Sequence, residues 1–208
     1  MTTQTRGHQK KARTRQALVL AATEVIAERG AAFSITDVVE RAGVSNGTFY
    51  NYFDDRDDLV DQLVAEIVGD FTGGVDAIVP VDEPAQRFAS VSALLLDWVT
   101  RSPLVATAVL RLEMFDRAGV HDAMFGHLRR DLTDGTAAGT FRGAVDQATV
   151  DVVAGALLMA TRHVLREGPD PAYRESVIDR LLQCLGVAPA RARTIAARAI
   201  ADAATLSR

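Results

Sequence analysis

The stretch Ser45-Asn46-Gly47-Thr48-Phe49-Tyr50-Asn51-Tyr52-Phe53 carries hydroxyls, amides and phenols at a spacing suited to reading a polymer of bases and phosphates. On a helical wheel advancing about 100° per residue, Phe49, Tyr52 and Phe53 share one face, while Gly47, Thr48, Tyr50 and Asn51 fall on the other. That outward face has no charge. A merely solvated helix face is usually rich in Lys and Glu, whereas short uncharged donors and acceptors pair with base edges and phosphate oxygens. Gly47, near the helix start, would let the backbone approach a phosphate closely.

The elements that must hold this face are legible upstream. Ser34 stands three residues before Asp37, the spacing of a reciprocal N-terminal cap. Ile35, Val38, Val39 and Ala42 recur at i, i+3, i+4 and i+7 and so line one buried face. Gly43 ends that helix where a left-handed residue carries no Cβ penalty, and Ser45 can cap the next. Two short helices joined by a tight turn make a helix-turn-helix.

A longer helix is predicted over 10–29, with Leu18, Ala21, Ala22, Val25 and Ile26 as its buried stripe and Gly30 at its end. Lys10, Lys11, Arg13 and Arg15 crowd its start. Positive charge there opposes the helix dipole unless an outside anion compensates, so phosphate contact is favoured over a solvated cluster. Residues 1–53 hold seven basic against four acidic side chains, a net of +3, and the remainder is at −7, giving −4 for the chain. A basic head on an acidic body brings one end to a polyanion and keeps the other off it.

The run from Thr14 to about Leu63 resembles the N-terminal domain of the TetR family of transcriptional regulators. The resemblance is carried by Ala27-Glu28-Arg29-Gly30, by Val39-Glu40-Arg41-Ala42-Gly43-Val44-Ser45, by Gly47-Thr48-Phe49-Tyr50-Asn51-Tyr52-Phe53 and by Arg56 at the head of the next helix. It implies a homodimer that binds a pseudo-palindromic DNA operator. Thr36, Asn46, Tyr50 and Asn51 would then face base edges or nearby phosphates, and Lys11, Ser45, Gly47, Thr48, Tyr52 and Arg56 would hold the DNA backbone. Asn46 stands where such proteins often carry lysine, and Asp54 and Asp55 where they often carry Pro or Ser. The resemblance also implies repression relieved by a small hydrophobic effector; an activator, or a regulator answering to a partner protein, would use the same head.

The chain has 208 residues, 48% of them hydrophobic, enough for a sizeable core. No uninterrupted apolar run reaches the roughly 18 residues a membrane span needs, and the opening MTTQTRGHQKKARTR lacks the apolar segment of a secretory signal. Cys184 is the single cysteine, which excludes an internal disulfide and fits a reducing cytoplasm. It is expected to be a small buried side chain on a helix. No strand-like alternation of useful length occurs, so the class is all-α: a polar arm at 1–9, a three-helix helix-turn-helix domain at 10–55, and a larger helical effector-binding and dimerisation domain at 56–208.

In that larger domain the spacing predicts helices over 56–71, 85–100, 104–118, 121–138, 146–166, 172–185 and 188–204. The segment Asp54-Asp55-Arg56-Asp57-Asp58 supplies Asp54 or Asp55 as a cap. The eighth helix, counted from 10–29, is apolar nearly all round and must be covered on more than one side. With the ninth it can form half of a four-helix dimer interface, or serve as internal core. In the proteins that the chain resembles the last two main helices dimerise, which makes Val152, Ala156, Leu157, Val177 and Leu181 the candidate interface. Trp98, Met114, Phe115, Met124, Phe125, Met159 and His163 are the candidate effector contacts, with Arg111, Glu113, Arg162 or His163 as polar partners; ordinary core packing is the alternative for the set.

Enzyme chemistry has little support. No HExxH, CxxC, GxSxG or Walker loop is present, and His8, His121, His127 and His163 have no companions at metal-ligand spacing. A Cys184–His163 pair remains open geometrically, with nothing in the sequence to favour it. No cofactor and no metal is expected.

Overall fold

The computed structural model describes residues 6–78, 83–112 and 120–206. Among these there are ten α-helices and no strand: α1 (Arg6–Arg29), α2 (Ile35–Ala42), α3 (Asn46–Phe49), α4 (Arg56–Ile78), α5 (Pro84–Arg101), α6 (Pro103–Arg111), α7 (Val120–Ala137), α8 (Gln147–Glu167), α9 (Pro171–Cys184) and α10 (Pro189–Leu206). The all-α expectation holds. Helix α1 begins at Arg6, inside the expected arm, and α4 continues to Ile78 through the glycine pair expected to loosen it.

The chain divides into two compact units. The first takes the chain up to Ile67 and also the stretch from Leu104 that contains most of α6. Its boundary therefore lies beyond the expected 55, and it recruits a helix assigned from sequence to the other domain. Its core is built from Leu18, Ala22 and Ile26 of α1, Val38 of α2, Phe49 and Phe53 around α3, and Leu59 of α4, each 1% exposed or less. Burying a large apolar side chain contributes about 1.5–3 kcal/mol, so these few residues fix how the three N-terminal helices cross.

The second unit holds Val68–Pro103 and the described residues from α7 onward. Its core joins Phe88 of α5, Leu132 of α7, Val150 and Val153 of α8 and Ile178 and Leu182 of α9. Helix α10 closes it with Ala192, Ala196, Ala199 and Ala203, a row at spacings of four, three and four that lets the backbone settle against α5 and α9. Gly135 is required here: a Cβ at that position would fall 2.1 Å from the Phe141 ring.

Helix α8 contains an 18-residue window of mean hydropathy 1.4, enough by length and composition to cross a bilayer although no unbroken apolar run exists. It also bears Asp151, Arg162, Arg166 and Glu167, and it lends Val150, Val153, Ala160 and Val164 to the core. Cys184, expected to be buried, is exposed.

Candidate nucleic-acid interface

The turn between α2 and α3 is set by three local devices. The Asp37 amide donates to Ser34 Oγ at 3.2 Å while Asp37 Oδ2 accepts from the Ser34 amide at 2.8 Å, the reciprocal cap expected from the spacing. The Ser34 hydroxyl, which donates to Asp37 Oδ2 at 2.7 Å, and the Ser34 amide hold the Asp37 carboxyl below its usual range. Gly43 ends α2 at φ +67, a conformation costly for residues with a Cβ, and the Val44 amide donates back to the Val39 carbonyl at 3.0 Å. Ser45 then caps α3, its Oγ accepting from the Thr48 amide at 3.3 Å and lying 3.0 Å from the Thr48 hydroxyl.

Phe49 and Phe53 anchor α3 from beneath, buried to 0% and 1% exposure with ring centroids 5.4 Å apart. Above them Tyr50 is 57% exposed, and its ring meets Phe49 edge-on at 5.4 Å, so the phenol is braced from beneath. Thr36, Ser45, Asn46, Gly47 and Asn51 are exposed, and Thr48 and Tyr52 are half-buried. Regular α geometry spans fewer residues than the wheel assumed. After Phe49 the chain tightens, with the Asn51 amide donating to Thr48 at 3.2 Å and the Tyr52 amide to Phe49 at 2.9 Å, both over three residues.

The basic cluster of α1 reaches the same place. Lys11 Nζ lies 6.0 Å from the centre of the Tyr52 ring, and the Arg15 guanidinium 5.8 Å from that of Phe53. Arg15 is paired with Glu66 at 2.5 Å and with Gln62 at 3.0 Å. Arg29 pairs with Asp37, and Arg41 spans Glu24 and Glu28 at 3.1 and 2.7 Å. Lys10, Lys11 and Arg13 are exposed and make no ion pair among the described residues. They are the cations left for an outside anion.

Arg56, expected to hold the DNA backbone, makes contacts inside the first unit. Its Nη2 donates to the Ala31 carbonyl at 2.5 Å, its guanidinium lies 4.4 Å from the centre of the Phe33 ring, and its Nε is buried. A side chain held by these contacts ties the α1–α2 connection to the start of α4. Asp55, of the two candidates, caps α4: its Oδ1 accepts from the Asp58 amide at 2.8 Å, and Asp58 in turn accepts from the Asp54 amide at 2.9 Å. The acids beside the reading face thus have structural work. Arg111, an expected polar effector contact, also belongs here: its Nη1 donates to the Glu28 carbonyl at 2.9 Å.

Of the expected effector contacts, Trp98, Phe125, Met159 and His163 have described side chains. Trp98 is half-buried and meets Phe71 edge-on at 6.3 Å. Phe125 packs on the core. His163 stacks on Tyr173 at 3.8 Å, while Met159 is 58% exposed on the outside of α8. Met114, Phe115 and Glu113 lie outside the described residues, as does the Met124 side chain. Of the interface set, Val152 is 63% exposed, and Ala156, Leu157 and Val177 are half-buried against the core. Leu181 is 4% exposed and belongs to its own core, because it sits on the side of α9 that meets Ile178 and Leu182. Met159 is the better companion for Val152, seven residues away on the same face.

Sequence reading missed the buried charges. Asp131 of α7 accepts from Arg87 Nε of α5 at 2.9 Å, and Asp97 of α5 meets Arg174 of α9 at 3.3 Å. Four buried polar or charged residues on one helix, Gln86, Ser90, Ser92 and Asp97 of α5, were the available signal. No group of side chains able to hold a metal ion occurs among the described residues.

The family model for bacterial regulatory proteins of the tetR family matches residues 18–63, which span α2, α3 and their supports. The solved structure of RolR in complex with resorcinol is 27% identical, covers 91% of this chain and 96% of its own, and superposes with a TM-score of 0.63. TylP, a TetR regulator from Streptomyces fradiae, is 24% identical with coverages of 95% and 99% and a TM-score of 0.68. CprB, a TetR family protein from S. coelicolor A3(2), is 20% identical with coverages of 92% and 98% and a TM-score of 0.72. The last two show the fold. Residues 18–63 thus match the DNA-binding head of the tetR family of bacterial regulatory proteins, in a chain whose full-length neighbours share its all-helical architecture.

Proposed function

We propose that the chain is a homodimeric repressor that binds a pseudo-palindromic operator and leaves it when a small, largely apolar effector occupies the second unit. The observation that carries the DNA-binding part is the uncharged face of Tyr50, Asn51, Asn46 and Gly47, exposed above the buried Phe49–Phe53 anchor and beside three cations at the start of α1 that make no ion pair among the described residues. Asn51 and Tyr50 read base edges; Lys11, Ser45 and Thr48 position the backbone. Two copies would place two such faces in successive major grooves about one helical turn apart.

The ligand-responsive part is supported by the company the fold keeps. RolR, at 27% identity, holds resorcinol, and another neighbour is a gamma-butyrolactone receptor. Both names speak of small organic molecules. Effector binding would weaken DNA affinity by a coupling of about 1–3 kcal/mol. The dimer face proposed is that of Val152 and Met159, the two large apolar side chains that α8 leaves exposed. Titrating the protein against its flanking intergenic DNA tests the reading: one saturable near-palindromic site, occupied by two chains, supports it, and uniform weak binding to all fragments removes it.

A further inference from the structure

We propose that Tyr52 is a positioning residue for DNA backbone binding and acts through its ring, which seats the Lys11 ammonium beside α3; the proposal rests on the DNA-binding reading above. Lys11 and Arg15 stand one turn apart on α1 and so share a side of that helix. Two consecutive rings after α3 meet them. Lys11 Nζ lies 6.0 Å from the centre of the Tyr52 ring, and the Arg15 guanidinium 5.8 Å from that of Phe53. A cation within about 6 Å of a ring centre is drawn to the negative face of the ring. The pair of contacts fixes the start of α1 against the end of α3.

The two cations differ in what else holds their charge. Arg15 is closed off by Glu66 at 2.5 Å and by Gln62 at 3.0 Å. Arg56, 4.4 Å from the centre of the Phe33 ring, is committed to the Ala31 carbonyl. Lys11 is exposed and makes no ion pair among the described residues. A ring attracts an ammonium without neutralising it, so Lys11 keeps its charge for an outside anion. Tyr52 is half-buried, and its amide donates to the Phe49 carbonyl at 2.9 Å, so the turn that ends α3 also sets the ring. A lysine gripping a phosphate must give up the rotamer freedom of its long stem. Seating the ammonium on the ring removes part of that freedom before DNA arrives.

The test is a double-mutant cycle on the full-length protein, bound to its flanking intergenic DNA across a salt series. It compares the natural chain, Lys11→Met, Tyr52→Leu, Tyr52→Phe and the Lys11→Met, Tyr52→Leu pair, with thermal unfolding of each. Tyr52→Leu should weaken all sequences alike by about two- to fivefold, and Tyr52→Phe, which keeps the ring, should recover most of that loss. In the Lys11→Met background Tyr52→Leu should cause no further loss of DNA affinity, since the ring then has no ammonium to hold. Equal losses in Tyr52→Phe and Tyr52→Leu would overturn the proposal and assign the contact to the hydroxyl. A Tyr52→Leu loss that persists beside Lys11→Met would also overturn it, as would full affinity in Tyr52→Leu; a lowered unfolding midpoint would trace the persistent loss to loosened packing. Specific binding by the natural chain with additive losses removes the proposal alone, whereas a natural chain that prefers no fragment removes the DNA-binding reading and the proposal together.

Discussion

Arg56 Nη2 donates to the carbonyl oxygen of Ala31 at 2.5 Å, across 25 residues of sequence, with the guanidinium 4.4 Å from the centre of the Phe33 ring. The bond joins the first residue of α4 to the short turn after α1. It sets the frame in which α2 and α3 stand, and it changes what the loss of Arg56 should do.

Arg56→Ala is expected to lower the stability of the first unit by about 1–3 kcal/mol, the range for a hydrogen bond to a charged group with a ring contact added. DNA affinity would fall only as far as the folded fraction falls. The slope of log K against log salt should stay unchanged, since a lost phosphate contact would reduce it by about 0.9. Thermal unfolding followed by a salt series at low temperature separates the two roles.

Asn51→Ala should relax base preference at one position of each half-site, at about 1–3 kcal/mol, while the melting temperature stays put because the side chain is exposed. Selection from a randomised operator library is the measurement. A preference identical to that of the natural chain would take Asn51 off the reading face.

Lys11→Ala should weaken all sequences alike and reduce the salt slope by about one. Its ammonium sits 6.0 Å from the Tyr52 ring, so it is held beside α3 without an acidic partner. A sequence-selective loss would show that it reads bases instead.

Acid should weaken the first unit. Asp37 is held below its ordinary value of 3.8 by the Ser34 hydroxyl and amide, and Asp58 is lowered by the Asp54 amide and the Gln62 side chain. A carboxyl lowered in the folded state contributes stability above its unfolded pKa and loses it as pH falls through the folded one. The loss therefore begins below about pH 4, and Ser34→Ala should move the acid midpoint upward. Far-ultraviolet circular dichroism across pH 2–6 on both proteins checks the direction.

Val152→Glu combined with Met159→Glu should leave the fold intact, since both side chains are exposed, and convert dimers to monomers. Sedimentation equilibrium reads the mass directly. A dimer that survives both carboxylates places the interface elsewhere.

What could be read from sequence was local. The Ser34–Asp37 cap, the left-handed Gly43 and the Ser45 cap each act within four residues, and the structure repeats them. The buried sides of α1 and α2 followed from spacing for the same reason. Arg56 and Ala31 are 25 residues apart and Asp97 and Arg174 are 77 apart, so no periodicity could pair them. Helix α8 defeated the wheel differently. It is apolar nearly all round, and only the packing of α5 and α9 separates Val153 from Val152. The short regular span of α3 was hidden too: the bonds tighten after Phe49 with no change in the spacing of its apolar residues.

The central claim is that α3 and the start of α1 make this chain a sequence-specific DNA binder. Its most direct test is equilibrium binding of the purified protein to its own flanking intergenic DNA across a salt series. The account predicts one saturable near-palindromic site, two chains per site, and an affinity that falls steeply as salt rises. Binding that is weak, salt-insensitive and equal for every fragment would contradict it, and would leave the helix-turn-helix as scaffold.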